Sequence, residues 1–318
     1  MHSLQHPPTL QDIQETHIAI ARMIHRTPVL TCSGIDAISG AKLFFKCENF
    51  QKVGAFKMRG ASSASLRLSE EARRNGIATH SSGNHAQAVA LSAKMLGIPA
   101  YVVMPENAPA IKVAGVRSYG AEVIFCASNI AARESTLESV VERTGAYFIH
   151  PYNDYNIIAG QATAAKELIE DVSDLEAIIA PVGGGGLMSG TALATRYLSP
   201  GMKVYGAEPK AVDDAWRSMQ SGKIEVNATT NTIADGLRTH LGEKTFDIIR
   251  KEVDDIFTVS EEEIVAAMRL VWERMKIIIE PSCAVPLAAV LKHPAVFSGK
   301  RVGIILSGGN VDLGELPF

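Results

Sequence analysis

The sequence predicts an α/β protein with open, mostly parallel sheets that carry helices on both faces. Short apolar runs alternate with helical patterns along most of the 318 residues, and this alternation is typical of βαβ units. The chain is 47% hydrophobic and 20% charged, as in ordinary globular proteins, and its length allows two domains. Polar, glycine-rich turns follow three of the apolar runs, where parallel sheets bind ligands.

A first series of strands and helices begins at residue 77. Its predicted strands lie at 77–81, 100–105, 121–126 and 146–151. The helix predicted at 84–96 has an alanine-rich apolar face, made by Ala86, Val89, Ala90, Ala93 and Leu96. Gly97 and Pro99 end this helix, and its small side chains predict close packing against its neighbours.

A second series supplies strands at 177–183, 203–209, 254–260 and 301–309. The segment 260–275 opens with Ser260 and Glu263 in the spacing of a capping box, and its apolar stripe predicts a core helix. We assign the strand predicted at 42–48 to the sheet of this series. A small α/β domain at 76–150 is then inserted into a large domain formed by 1–70 and 154–318.

Composition excludes several classes of function. The net charge is −3 and the basic residues are scattered, so a nucleic-acid partner is not expected. The N-terminal stretch does not read as a signal peptide, and no apolar run is long enough to predict a membrane span. The four cysteines lie far apart, which favours a reducing compartment, and we expect a cytoplasmic protein.

Four consecutive glycines end one predicted strand and open a helix: Gly183, Gly184, Gly185 and Gly186. Backbone amides at such a turn bind anions. The dinucleotide pattern fails at Met188, and the Walker pattern fails because no lysine separates Gly190 from Thr191. A single phosphate group fits better. The alternative is a tight structural turn, but four glycines cost much conformational entropy.

The turn "SSGNH" at 81–85 also lies between a strand and a helix. Ser82 or Asn84 would serve there as a simple helix cap. The same turn offers hydroxyl, amide and backbone N–H groups that would bind a carboxylate at the helix N-terminus. His85 taken alone indicates only a structural histidine.

The stretch "GAFKMRGA" places Lys57 between Phe56 and Met58. Such a lysine either extends to solvent or supplies an amine with a lowered pKa. Together with a phosphate turn and a carboxylate turn, an apolar lysine suggests pyridoxal phosphate (PLP), which lysine binds through a Schiff base. A non-enzymatic protein that binds small anions is the alternative from another class.

The motifs are those of a known family. They are "FKMRGA", "SSGNHAQAVA", "PVGGGGLMSG", "TIADG", "VWERMKIIIEP" and "LSGGNVDL", in order along nearly the whole chain. The chain resembles the serine racemase and serine/threonine dehydratase family of PLP enzymes, which has the two-domain tryptophan-synthase β-like fold. The resemblance implies a homodimer and leaves activation by a nucleotide open.

The resemblance also implies roles for particular residues. Lys57 would hold PLP, Phe56 would pack near its ring, and Asn84 would bond its 3′-oxygen. Ser307 would face the pyridine nitrogen, and a hydroxyl there leaves the ring a weaker electron sink, which suits elimination. The phosphate would be bound by Gly183, Gly184, Gly185 and Gly186. The substrate carboxylate would be bound by Ser81, Ser82, Gly83, Asn84 and His85.

The implied reaction is dehydration of a small β-hydroxy amino acid, L-serine or L-threonine, to an oxo acid and ammonia. Lys57 would remove the Cα proton, and Ser82 on the opposite face would return a proton if serine is racemised. Dehydration of 3-hydroxyaspartate to oxaloacetate and ammonia is the alternative. A β-replacement reaction is less favoured, because those synthases usually carry a threonine-rich turn in place of "SSGNH".

Two further features bear on substrate and metal. The candidates near the substrate entrance are Arg133, Arg238, Thr239 and His240. A cation there would bind a second carboxylate of the substrate; a plain surface charge is the alternative for each arginine.

In the stretch "GAEPKAVDD", the resemblance implies a divalent cation, Mg²⁺, Ca²⁺ or Mn²⁺, bound by Glu208, Asp214 and the carbonyl of Val212; a solvated acidic loop is the alternative. Animal serine racemases tend to have asparagine where this chain has Tyr152, which favours a dehydratase.

Overall fold

The computed structural model describes residues 2–318, apart from the side chain of residue 111. The strands are β1 Val29–Leu30, β2 Lys42–Cys47, β3 Ile77–His80, β4 Ala100–Pro105, β5 Glu122–Cys126, β6 Tyr147–Phe148, β7 Ala177–Pro181, β8 Lys203–Pro209, β9 Asp255–Val259 and β10 Arg301–Leu306. Every strand predicted from an apolar run is present, although β6 is shorter than predicted. The two-residue strand β1 was not predicted, because it is too short to show any periodicity.

The helices lie mainly between these strands. They are α1 Leu10–Ile20, α2 Ser33–Ser39, α3 Lys57–Leu66, α4 Glu70–Asn75, α5 Asn84–Leu96, α6 Ala110–Ser118, α7 Ile130–Thr144, α8 Tyr155–Asp171, α9 Gly186–Leu198, α10 Asp214–Ser221, α11 Glu243–Glu252, α12 Glu261–Met275, α13 Pro281–Lys292 and α14 Pro294–Phe297. Helix α5 has the predicted bounds. The capping box of α12 is present: Ser260 accepts from the amide of Glu263, whose carboxylate accepts from the amide of Ser260.

The strands form two separate sheets. The larger has the order β1-β2-β10-β7-β8-β9 and the smaller has the order β5-β4-β3-β6. All neighbours are parallel except β1, which is antiparallel to β2. Strand β2 pairs with β10 and therefore lies in the larger sheet, as predicted. The mixed α/β class with mostly parallel sheets is confirmed.

Parallel pairing brings the three polar turns to the carboxyl ends of their strands. Strand β3 ends just before Ser81, β7 ends just before the four glycines, and β10 ends just before Ser307. Helices α3 and α8 approach closely behind the larger sheet, since a Cβ on Gly160 would lie 2.4 Å from the carbonyl oxygen of Arg59. These packing contacts fix the helix that begins at Lys57.

The division into a large and a small domain, with the boundaries given above, stays a prediction, and residue 1 lies outside the described residues. The four-stranded sheet is built from residues 77–148. Over residues 2–318, every helix is too short or too polar to serve as a membrane span.

Candidate active site

Lys57 is the first residue of α3 and is half-buried. Its Nζ donates a hydrogen bond to the carbonyl oxygen of Pro151 at 2.8 Å and lies 5.2 Å from the centroid of the Phe56 ring. Burial lowers the pKa of Lys57 to about 8, while the nearby carboxyl of Glu280 acts in the opposite direction. The amine is therefore directed inward and is much easier to deprotonate than an ordinary lysine.

The segment before Lys57 is attached to the end of β10. The amide of Phe56 donates to the carbonyl of Ser307 at 3.0 Å, and Ala55 forms an isolated antiparallel bridge with Gly308. Ser307 is buried. Lys57 and Ser307, which are far apart in the sequence, are thus brought to one place, as the predicted site requires.

The turn at 81–84 approaches the same place from the smaller sheet. The Asn84 side-chain amide donates to both carboxylate oxygens of Glu280, at 3.0 and 3.1 Å. Its carbonyl oxygen accepts from the side-chain amide of Asn310 at 2.8 Å. The two contacts fix which end of the Asn84 amide is the donor and hold its side chain beside Glu280.

Glu280 was missed by the sequence reasoning, although it lies in one of the family motifs. Its side chain is buried, and burial raises its pKa to about 7; the hydrogen bonds from Asn84 and from the Asn310 amide partly oppose this. The available signal was a carboxylate inside the apolar run "IIIEP". Glu280 is a negative charge, or a proton donor, in direct contact with a predicted cofactor ligand.

The four-glycine turn is covered by Tyr152. A Cβ on Gly184 would lie 2.2 Å from the Tyr152 ring, and one on Gly186 would lie 3.0 Å from its Cβ. Gly185 has a φ of +85° and precedes α9, and Thr245 Oγ1 donates to the carbonyl of Gly184 at 2.8 Å. The bare amides of this turn and the N-terminus of a 13-residue helix suit a phosphate group.

Two histidines border the lysine in their neutral form. His85 Nε2 lies 3.1 Å from the carbonyl of Ile149, and burial holds the pKa of His85 well below its usual range. Burial lowers the pKa of His150 to about 4, and its Nδ1 accepts from the amide of Asn153 at 2.9 Å. The His85 ring is therefore engaged with the backbone at Ile149.

The candidate substrate residues divide into two groups. Arg133, on α7, is close enough to His80 to lower the pKa of that histidine further, and His80 is the last residue of β3, directly before Ser81. Thr239 is exposed and continues the segment whose Leu237 lies 3.1 Å from the place of a Cβ on Gly183. Arg133 is thus on the side of the carboxylate turn and Thr239 on the side of the phosphate turn.

The predicted metal ligands contain two buried carboxyl groups. Glu208 accepts hydrogen bonds from the amides of Ala215 and Trp216, at 3.2 and 2.8 Å, and Asp214 accepts from Asn227 and from the amide of Leu241. Burial and the charge of Asp214 raise the pKa of Glu208 well above its usual range; burial raises that of Asp214 to about 6. Over residues 2–318, no three His, Cys, Asp or Glu side chains cluster as in a metal site. The predicted set nevertheless suits a hard cation, because its third donor is a carbonyl.

A comparison with known families decides the assignment. The model of the "pyridoxal-phosphate dependent enzyme" family matches residues 20–308. The chain belongs to this family. The site described above fits its cofactor, since it combines an inward-directed amine with a glycine turn that any side chain would obstruct.

Individual members of this PLP enzyme family are similar over their whole length. The β-hydroxyaspartate dehydratase of Paracoccus denitrificans is 48% identical, with 98% of this chain and 99% of that protein covered. The serine racemase of Dictyostelium discoideum is 50% identical, with 97% and 96% covered. The crystal structure of a threonine deaminase from T.th. has a TM-score of 0.92 at 46% identity, with 96% and 99% covered. The tryptophan-synthase β-like fold and the PLP-dependent enzyme class are therefore confirmed.

Proposed function

We propose that this PLP enzyme eliminates the β-hydroxyl of small hydroxy amino acids, L-serine or L-threonine, through Lys57 to give an oxo acid and ammonia. The observation that carries the proposal is the Lys57 amine, half-buried and hydrogen-bonded to Pro151, with a pKa of about 8. An amine of this pKa has a large neutral fraction at mildly alkaline pH and can therefore serve as a base.

Each part of the site has a proposed task. Lys57 binds the cofactor and removes the proton from Cα, while the cofactor supplies the electron sink. The glycines at 183–186 hold the phosphate, Ser307 faces the pyridine nitrogen, and Phe56 packs beside the ring. The turn at 81–84 and the backbone of His85 bind the substrate carboxylate at the N-terminus of α5.

Ser82 is the proposed residue for returning a proton to Cα on the face opposite Lys57. It lies in the turn that opens α5 and is half-buried. Such an exchange would racemise serine, and the similarity to a protein named serine racemase supports it as a second activity. Tyr152, which packs on the phosphate turn, favours elimination as the main outcome.

Dehydration of 3-hydroxyaspartate is the second candidate. It is supported by the similarity to a β-hydroxyaspartate dehydratase and by the position of Arg133 beside His80. A guanidinium there would bind the second carboxylate of that substrate. Thr239, on the opposite side, is proposed to contact the substrate side chain.

A panel of L-serine, L-threonine and 3-hydroxyaspartate tests both candidates, because the products pyruvate, 2-oxobutyrate and oxaloacetate are distinguished by specific dehydrogenases. We expect Arg133→Gln to lower kcat/KM for 3-hydroxyaspartate by about 10-fold or more, from the loss of a charged hydrogen bond, with L-serine little changed. Arg143→Gln on the same helix is the control, since Arg143 is exposed and pairs with the exposed Glu122. An equal loss for all three substrates would exclude the specific role of Arg133.

We also propose that Glu208, Asp214 and the carbonyl of Val212 bind Mg²⁺, Ca²⁺ or Mn²⁺. All three residues are buried, and a cation would relieve the repulsion between the two carboxylates. Its role would be structural or activating rather than catalytic, because the pair lies on β8 and α10 rather than beside Lys57.

Adding Mg²⁺ or Ca²⁺ is expected to raise the melting temperature, more above pH 6 than below it. Burial raises the pKa of Asp214 in the folded protein to about 6. The stability that comes from its protonated form is therefore lost as the pH rises from the ordinary pKa of an aspartate through 6. Above that pH the Asp214 carboxylate is ionised and can bind the ion, and a concentration of about 100 times Kd would add about 2.7 kcal/mol.

Differential scanning fluorimetry with each chloride salt measures this effect. Asp214→Asn should abolish it, whereas the neighbouring Asp213→Asn should retain it, because Asp213 pairs with Arg217 at 2.7 Å. A melting temperature indifferent to both ions at pH 8 would overturn the metal proposal.

The remaining proposals concern organisation. We infer a cytoplasmic homodimer with the two-domain division given above, acting on free amino acids. All four cysteines are unpaired, which supports a reducing compartment, and the family resemblance supports the dimer. Sedimentation with and without ATP tests the dimer, and assays at a fixed Mg²⁺ concentration test whether a nucleotide activates it.

A further inference from the structure

A buried cluster of charged residues lies behind the helix that carries Lys57. Its central members are Lys46, Glu48, Arg59 and Glu167, all fully buried. We propose that Arg59 is a positioning residue for Lys57, and that the cluster fixes the orientation from which Lys57 meets the cofactor and the substrate. The inference rests on the proposed role of Lys57 and adds a residue outside the site described above.

The Arg59 guanidinium is held by two carboxylates at once. Its Nε and Nη2 donate to the two oxygens of Glu48, at 2.7 and 2.8 Å. Its Nη1 and Nη2 donate to the two oxygens of Glu167, at 2.9 and 2.8 Å, and Nη1 also donates to Thr163 Oγ1 at 3.0 Å. Paired contacts on two edges of a planar group fix both its position and its rotation, which a lysine ammonium cannot reproduce.

The cluster is balanced in charge and its carboxylates are fully engaged. Lys46 Nζ lies 2.6 Å from Glu167, His17 Nε2 lies 2.9 Å from it, and Thr27 donates to Glu48 at 2.6 Å. The hydrogen bonds from His17 and Arg59 hold the pKa of Glu167 well below its usual range, despite burial. Burying two ion pairs adds little net stability compared with an apolar core. The cluster is therefore better explained by the single orientation that it imposes on Arg59 than by a gain in stability.

The cluster connects to Lys57 through a short segment of backbone. Glu48 opens the segment that leads to Lys57, and Arg59 follows Lys57 within the first turn of α3. Their ion pair thus closes a loop of about a dozen residues around Lys57. The same loop contains Val53 at a φ of +59°, an unusual value for a β-branched residue. A loop that must hold such a conformation needs firm attachment at both ends.

Arg59→Lys is the direct test, because it keeps the charge and loses the paired contacts. We expect kcat to fall by about 10²-fold, as for a displaced catalytic group, while KM changes little, because the carboxylate turn belongs to the other sheet. The apoprotein should also gain the visible absorption of bound PLP more slowly. The pH midpoint of that reaction should rise, since a displaced Lys57 returns toward an ordinary lysine pKa.

The control is Arg67→Lys at the other end of α3. Arg67 is also buried, and it donates to Thr16 and to the carbonyl of His2 rather than to a carboxylate. It should lower the melting temperature while leaving kcat and the pH midpoint unchanged. Thr163→Val removes a single acceptor from Arg59 and should give a smaller change in the same direction, and it decides the matter if Arg59→Lys does not fold.

The outcomes separate this inference from the proposed function. If Lys57→Ala keeps the visible absorption, the proposed function itself fails. If Lys57→Ala loses it but folded Arg59→Lys and Thr163→Val both show the wild-type rate and pH midpoint, only the positioning role fails. The same is true if Arg67→Lys lowers kcat as much as Arg59→Lys.

Discussion

Replacing Lys57 with alanine is expected to abolish both oxo-acid formation and the visible absorption of the protein after dialysis against PLP. The change removes the amine that holds the cofactor and the base that takes the Cα proton. Loss of general-base catalysis alone costs up to about 10⁴-fold in kcat, so a fall of at least this size is expected. An absorption spectrum and a coupled dehydrogenase assay measure the two losses independently.

Lys52→Ala provides the control for this result. Lys52 lies on the same segment, but its Nζ donates outward to the carbonyl of Arg22 at 3.3 Å. It should keep the colour and nearly all of the turnover. A Lys57→Ala protein that is folded, yellow and active would falsify the assignment of the cofactor lysine, and the site would have to be sought elsewhere.

The sequence predicted the parts of this protein that depend on local pattern. Strand β7 followed by the glycines at 183–186, and β3 followed by the turn at 81–84, are both readable as an apolar run and a polar turn. The bounds of α5 follow from the turn before it and from Gly97 after it. In a parallel sheet such turns must share one edge, so their convergence could also be predicted.

The contacts between distant segments could not be predicted in the same way. Glu280 and Asn84 are separated by 196 residues, and neither carries a local signal that it will find the other. Arg59 resembles a helix-surface arginine in the sequence, yet its partners are Glu48 on the preceding segment and Thr163 and Glu167 on the distant helix α8. The partners of such side chains are determined by the tertiary structure, whereas the periodicity of the sequence indicates only which face of a helix or strand is buried.

The contact between Tyr152 and the phosphate turn could not be predicted from the sequence either. The sequence marked Tyr152 as a departure from animal serine racemases, but its contact with the phosphate turn depends on how the segment between β6 and α8 is placed in the folded chain. That placement gives the short distances between its ring and the place of a Cβ on Gly184. Because of these short distances, we expect a large effect on PLP binding when Gly184 is replaced.

Gly184→Ala is expected to weaken the affinity of the apoprotein for PLP by about 5- to 150-fold. The new methyl group would lie 2.2 Å from Cδ1 of the Tyr152 ring, so either the ring or the turn must move. Relief of such overpacking usually costs about 1–3 kcal/mol, which corresponds to this range of affinity. Titration of the apoprotein with PLP, followed by visible absorption, measures the effect.

Two comparisons separate steric obstruction of the phosphate turn from general destabilisation. Gly201→Ala should bind PLP as the wild type does, because a Cβ there meets nothing within 4 Å.

Adding Tyr152→Ala to Gly184→Ala should restore part of the affinity, since it removes the ring that the methyl group meets. The effects of the two changes on PLP affinity should therefore be strongly non-additive. Additive losses would mean that Tyr152 does not shape the turn. Unchanged affinity in Gly184→Ala would mean that the phosphate is bound away from the four glycines.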